Sequence, residues 1–227
     1  MNKRFVIILA AIAVLFVGLV LFNKRGEKKA DSDNQQSSSA QMSNHTSGQG
    51  TTGVTLTEWG DFQCPACGQF YPAVAAVREK YGDQITFRFR NFPLTQIHPN
   101  ALISARAAEA AGLQGKFFEM FDQLYQGQKS WSESQNPNQF FEQYAEQLGL
   151  DMSKFREDMK SQATNDTVQA DLAEAKRLNY QSTPTFEINN KKVENPGTIE
   201  EFYKLIDDAI AAKKSETGTQ SPTENSQ

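Results

Sequence analysis

The 227 residues suffice for one ordinary domain with terminal extras, and 38% hydrophobic with 22% charged residues is a globular balance. A formal net charge of −4 argues against a phosphate-backbone partner, since such binders carry a basic excess, so no nucleic acid is expected. Two cysteines and two histidines, His45 and His98, are too few soft ligands for a one-chain tetrahedral zinc site, so neither metal nor cofactor is expected.

Met1 to Arg4 is short and basic, and Phe5 to Phe22 carries no charge. As a helix that run would be about 27 Å long, close to the roughly 30 Å hydrocarbon core of a bilayer. It ends in Phe22-Asn23-Lys24-Arg25, without the small-residue exit of a cleaved signal, so residues 1–25 read as a single N-terminal transmembrane anchor. Lys24, Arg25, Lys28 and Lys29 outnumber Lys3 and Arg4, which by the positive-inside tendency favours a cytoplasmic C-terminal side. The dithiol chemistry below makes most sense outside, and the two arguments conflict. Residues 26–53 are rich in Ser, Gln, Asn, Gly and Asp and read as a flexible tether spanning about 25–30 Å.

The next segments alternate. Val54 to Trp59 and Ile85 to Phe92 have the period of strands, with Ile85, Phe87 and Phe89 on one face, and Phe70 to Lys80 between them has helical composition. Strand, helix, strand at this length predicts a right-handed crossover in a parallel sheet. From about residue 100 to 178 the pattern is helical, too long for a loop. Ala101 to Ala111 runs to Gly112, a natural left-handed terminus; Lys116 to Tyr125 sets Phe117, Met120, Phe121 and Leu124 at helical spacing; Pro137 opens a helix holding Phe140, Phe141, Tyr144 and Leu148. Asp151 and Asp166 are candidate N-caps for two more. Thr185 to Ile188 is a strand, a short turn follows, and a last helix lies near Ile199 to Ala212. The expected domain is residues 54–214, an α/β fold with a helical insertion, and residues 215–227 read as a disordered polar tail.

Cys64-Pro65-Ala66-Cys67 falls between a strand and a helix. There the first N–H groups lack intrahelical partners and the macrodipole is positive, which favours a thiolate at Cys64. Pro65 suits the first helical position, where a missing N–H costs nothing. Cys67 lies one turn on, within reach to attack a mixed disulfide on Cys64. A structural disulfide closing so small a loop would stabilise little. A zinc half-site would need a second chain.

Glu58-Trp-Gly-Asp-Phe-Gln-Cys-Pro-Ala-Cys67, His98-Pro99, Ala110-Ala-Gly-Leu-Gln-Gly-Lys-Phe-Phe-Glu-Met120 and Ser182-Thr-Pro-Thr-Phe186 together resemble the thioredoxin superfamily, DsbA-like branch, and most of all its membrane-anchored bacterial members. The resemblance runs from about Val54 to Ala212. It implies a thioredoxin fold with a helical insertion, Cys64 as attacking cysteine, Cys67 as resolving cysteine and Pro65 and Ala66 in support. Thr183-Pro184 would be a cis-proline loop offering backbone groups to an extended substrate. Glu58 occupies the place of a buried acid that relays a proton from Cys67, although by its own pattern it is equally a solvent-facing strand residue. Pro72 would kink the active-site helix. His98-Pro99 reads as a turn leading into a helix, without catalysis. Phe70, Tyr71, Phe92, Trp131 and Tyr180 are groove or core.

The strongest oxidant of that branch carries histidine where this chain has Ala66, which offers the thiolate neither charge nor a side-chain hydrogen bond. At about 30 mV per 1.4 kcal/mol, the expected potential lies several tens of millivolts lower. The resemblance implies an extracytoplasmic oxidase that introduces disulfides into reduced secreted proteins and is recharged by a quinone-linked membrane partner. The alternatives are a tethered reductase or isomerase and, further off, a thiol module binding metal or peptide.

Overall fold

The computed structural model describes residues 41–218. The Phe5–Phe22 run, the first part of the tether and residues 219–227 lie outside them. Among the described residues no helix is long and apolar enough to cross a membrane.

Strands β1 (His45–Ser47), β2 (Val54–Gly60), β3 (Ile85–Asn91), β4 (Thr185–Ile188) and β5 (Lys191–Lys192) form one sheet in the order β1-β3-β2-β4-β5. Helix α1 (Pro65–Tyr81) makes the crossover between β2 and β3, which pair in parallel from Val54↔Ile85 to Gly60↔Asn91. The other pairings are antiparallel. Between β3 and β4 the chain forms α2 (Ala101–Gly112), α3 (Phe117–Gln126), α4 (Gln128–Trp131), α5 (Asn138–Gln147), α6 (Met152–Lys160) and α7 (Gln162–Arg177). These six fill the span read from the sequence as a helical insertion. Asn189 and Asn190, both at positive φ, turn β4 into β5, and α8 (Ile199–Gly218) ends the described chain.

The alternation in β3 buries Ile85, Phe87 and Phe89, and the helical spacing in α3 buries Phe117, Met120, Phe121, Leu124 and Tyr125. Sheet and insertion meet through these two faces. Phe121 lies edge-on to Phe62, Phe87, Phe89 and Tyr125 with centroids 4.9–6.2 Å apart. Such rings supply both buried area and favourable edge-to-face geometry.

Four boundaries differ from the sequence reading. The polar stretch read as tether up to Gly53 is ordered from residue 41, because distant residues satisfy its polar groups. Ser43 N donates to Asp171 Oδ1 at 3.1 Å, and His45 stacks on Phe117 while its Nε2 meets Glu109 at 2.8 Å. At Gly48, where φ is +90°, a side chain would strike the Ile85 carbonyl. Gly112 remains inside α2, and the left-handed residue that reverses the chain is Gly115, at φ +75°. Asp166 is not a cap: α7 begins four residues earlier, where Ser161 Oγ accepts from Thr164 N at 3.1 Å. Asp151 does cap α6, accepting from Lys154 N at 3.0 Å. The last helix runs past Ala212 to Gly218, so residues 215–218 belong to it and not to the tail; Lys213–Glu216 at 2.9 Å adds a pair there.

Phe121→Ala is expected to lower the unfolding free energy by about 3–5 kcal/mol, read from urea denaturation with unchanged m-value.

Candidate active site

The site is built where β2 gives way to α1. Asp61 holds the connecting turn: Oδ1 accepts from Gln63 N at 2.8 Å, and Oδ2 accepts from Leu94 N at 2.9 Å and meets His98 Nδ1 at 2.7 Å. The Asp61 carbonyl takes the Cys64 N–H at 3.0 Å. Gln128, from the insertion, donates from Nε2 to the Phe62 and Cys64 carbonyls at 2.7 and 2.9 Å. Cys64 is thereby fixed as the N-cap of α1, in extended backbone, with Pro65 in the first helical turn. Pro72 lies inside α1.

Both thiols are free and buried, Cys67 completely. The Thr183–Pro184 peptide is cis and brings the Thr183 carbonyl to 3.4 Å from Cys64 Sγ, which donates to it when protonated. Ionised, the same sulfur is surrounded by donors. The Cys67 thiol contributes most, followed by the Thr183 hydroxyl and the backbone N–H groups of Cys67 and Ala66. Against the opposing effect of burial, they bring the Cys64 thiol down from 9.0 to about 5. Ala66 acts only through its backbone. Burial pushes Cys67 well above the ordinary thiol range, and its bond to Cys64 and the nearby Glu58 push the same way.

Glu58 is buried, so it is not the solvent-facing strand residue that its pattern equally allowed; it faces inward near the dithiol. Desolvation lifts its carboxyl to about 8, with Arg78 opposing and the charge on Cys64 adding to the rise. Its Oε2 has no protein partner among the described residues, nor has the buried hydroxyl of Tyr125, whose titration burial and the nearby Cys67 and Glu58 both push up.

Of the five aromatics read as groove or core, Trp131, Phe92 and Tyr180 are buried, while Phe70 and Tyr71 are half-buried and pack on Phe186 and Tyr125. Two clefts lie on the described surface at Pro184 and at Phe92. One of about 480 Å³ is lined by Ser182, Pro184, Thr185, Val193 and Asn195; the other, about 490 Å³, by Phe92, Leu94, Ile97, Leu172 and Tyr180. His98 anchors Asp61, a supporting contact. Sequence reasoning passed over Asp61, Gln128, Tyr125 and Arg78. An Asx turn was readable in Asp61-Phe-Gln63. Gln128 stands 64 residues from Cys64, and no local signal marks it.

A family model described as thioredoxin matches residues 40–208. Among solved structures, alpha-DsbA1 of Wolbachia pipientis is similar with TM-score 0.67 and 19% identity, over 77% of this chain and 94% of that one. Oxidised BdbD of Bacillus subtilis is similar with TM-score 0.65 and 21% identity, over 76% and 97%. At these identities the likeness is one of fold. Among curated proteins, the Na(+)/H(+) antiporter NhaA 1 of Mycobacterium sp. (strain KMS) is 36% identical over 167 residues, which are 72% of this chain and 26% of the antiporter. NhaA 3 of Salinispora tropica is 33% identical over 192 residues, 79% and 28%. The chain spans about a quarter of the length of these curated relatives.

The alkylation rate of reduced Cys64 is expected to titrate with a midpoint near pH 5, and Thr183→Val to move that midpoint upward. Glu58 is raised from 4.5 to about 8, so the unfolded chain releases its proton first and stability falls as pH rises between those values. Glu58→Gln should therefore be more stable than wild type above about pH 5, with the gap widening toward pH 8 in denaturant midpoints.

Proposed function

The chain belongs to the thioredoxin family and has a DsbA-like fold, and we propose that it is a thiol–disulfide oxidoreductase acting as an extracytoplasmic oxidase of secreted proteins. The observation that carries the direction is the asymmetry of the two thiols. A Cys64 thiolate stabilised to about 5 favours the reduced dithiol, and a disulfide whose reduced form is stabilised is the stronger oxidant.

In this reading a substrate thiolate attacks Cys64 Sγ of the Cys64–Cys67 disulfide, and the bond to Cys67 breaks. Cys67 departs with the electron pair. As a group of high proton affinity it leaves poorly unless protonated, and Glu58, still protonated at neutral pH, stands beneath it as the donor. A second substrate thiolate then attacks the substrate sulfur of the mixed disulfide, and Cys64 leaves as its stabilised thiolate. The substrate gains a disulfide, the enzyme holds two electrons, and a quinone-linked membrane partner takes them up. Thr183 and Pro184 present the backbone edge beside Cys64 against which an extended substrate segment lies. Ala66 keeps the oxidising power below that of a histidine-bearing relative. The Phe5–Phe22 run would tether the domain on the outer face of the membrane as a single-pass anchor. The antiporter activity named for the longer relatives is theirs and forms no part of the proposal.

Treatment of intact cells with a membrane-impermeant thiol reagent, followed by acid trapping, tests direction and topology together. A Cys64–Cys67 disulfide at steady state, labelled from outside only after reduction with an impermeant reductant, is the expected result. Thiols labelled from outside without reduction would make the protein a reductase or isomerase, and thiols reached only after lysis would place the domain in the cytoplasm.

A further inference from the structure

On the sheet face turned away from Glu58, three neighbouring strands set side chains in two cross-strand rows. Arg88 of β3, Thr57 of β2 and Glu187 of β4 stand in register, and one step along stand Arg90, Trp59 and Thr185. Strand spacing puts neighbours in a row about 4.8 Å apart. A cleft of about 400 Å³ opens over these rows, with Arg177 and Leu178 at the end of α7 and Met42 on its walls. Its size is that of small-molecule sites, roughly 300–1,000 Å³.

The polar inventory of the cleft is one-sided. Arg90 is committed to the Ser43 carbonyl and to Asp171, 3.2 Å away. Arg177 forks onto Glu174 through Nε and Nη2, both at 2.6 Å, and Glu187 accepts from the Tyr180 hydroxyl. Asn190 and the second oxygen of Glu187 also line the cleft, and the groups buried there without a partner can all donate. Thr57 Oγ1, Trp59 Nε1 and Arg88 Nε are all buried without a partner, and Arg88 feels the Glu187 carboxylate along its row while making no close ion pair among the described residues. Thr57 and Trp59 are 1% and 3% exposed, so bulk water does not serve them. Buried donors are ordinarily paired with protein or ordered water, and this concentration of exceptions on one cleft marks a place for an acceptor.

We infer that this cleft binds a small monocarboxylate with an apolar body, its carboxylate on Arg88 with the Thr57 hydroxyl and the Trp59 indole N–H. A guanidinium beside two neutral donors fits a planar carboxylate. The acid at the far end of the same row, Glu187, would repel a second negative charge, which disfavours phosphate dianions. Trp59, Leu178 and Met42 supply the apolar wall, and Met42 is one of the few large apolar side chains left exposed.

Benzoate is the probe, titrated into the full-length protein with the two indole N–H signals followed by nuclear magnetic resonance. A saturable shift of the Trp59 signal is expected, with the Trp131 signal, already bonded to the Leu124 carbonyl, unmoved. Arg88→Gln should weaken binding about tenfold or more, and Arg88→Lys, which keeps charge without the fork, by less; disulfide-exchange activity should be unchanged in both. A Trp59 signal that does not saturate, or equal affinity in either variant, overturns the site. Inorganic phosphate binding as tightly as benzoate overturns the ligand class.

Discussion

Cys64, Cys67 and Glu58 are buried close together at the end of β2, and in such a place a second charge costs far more than the first. The charge settles on Cys64 because the donors point there: the Cys67 thiol, the Thr183 hydroxyl and the first N–H groups of α1. Cys67 and Glu58 are then held protonated by burial and by that same charge. The competition between desolvation and a small set of aimed donors creates the asymmetry between two cysteines only three residues apart.

Burying that site takes the insertion as well as the sheet. Phe62 packs against Phe89, Phe121 and Tyr125, so α3 is part of the core next to the dithiol turn. Gln128, just beyond α3, pins the Phe62 and Cys64 carbonyls and thus the aim of the helix terminus. From the other side the cis Thr183–Pro184 loop reaches Cys64. Two segments far apart in sequence therefore meet at Cys64: Gln128 holds its carbonyl and the Thr183–Pro184 loop meets its sulfur.

That division explains what could be read from sequence. The Cys64-Pro65-Ala66-Cys67 turn was legible because the reasons for it are local: a strand end, a proline in the first turn, a helix following. The phenylalanines of β3 and α3 were legible because burial follows period. Where a polar group finds its partner far along the chain, local pattern fails. Ser43 reads as tether until Asp171, 128 residues away, accepts its N–H, and Glu58 reads as solvent-facing or buried with equal force until the insertion is in place. Gly112 and Asp166 were plausible terminators by residue type, but Gly112 is the last helical residue of α2 with left-handed Gly115 beyond it, and Ser161 caps α7. Composition proposes several caps, and packing selects among them.

The same pocket ties electron flow to proton flow. The Cys64 charge raises Glu58, and by reciprocity a protonated Glu58 favours the Cys64 thiolate. When the disulfide forms, the Cys64 charge vanishes and one reason for Glu58 to hold its proton vanishes with it. Oxidation thus loosens the Glu58 proton and reduction tightens it, while Cys67 must gain a proton whenever it becomes a thiol. A Glu58 ionised throughout would oppose the Cys64 thiolate. In the proposed relay, a fixed neutral residue in its place would leave Cys67 without that proton donor. A buried acid near 8 avoids both costs at neutral pH, and the instability it brings to the fold is the counterpart of that position.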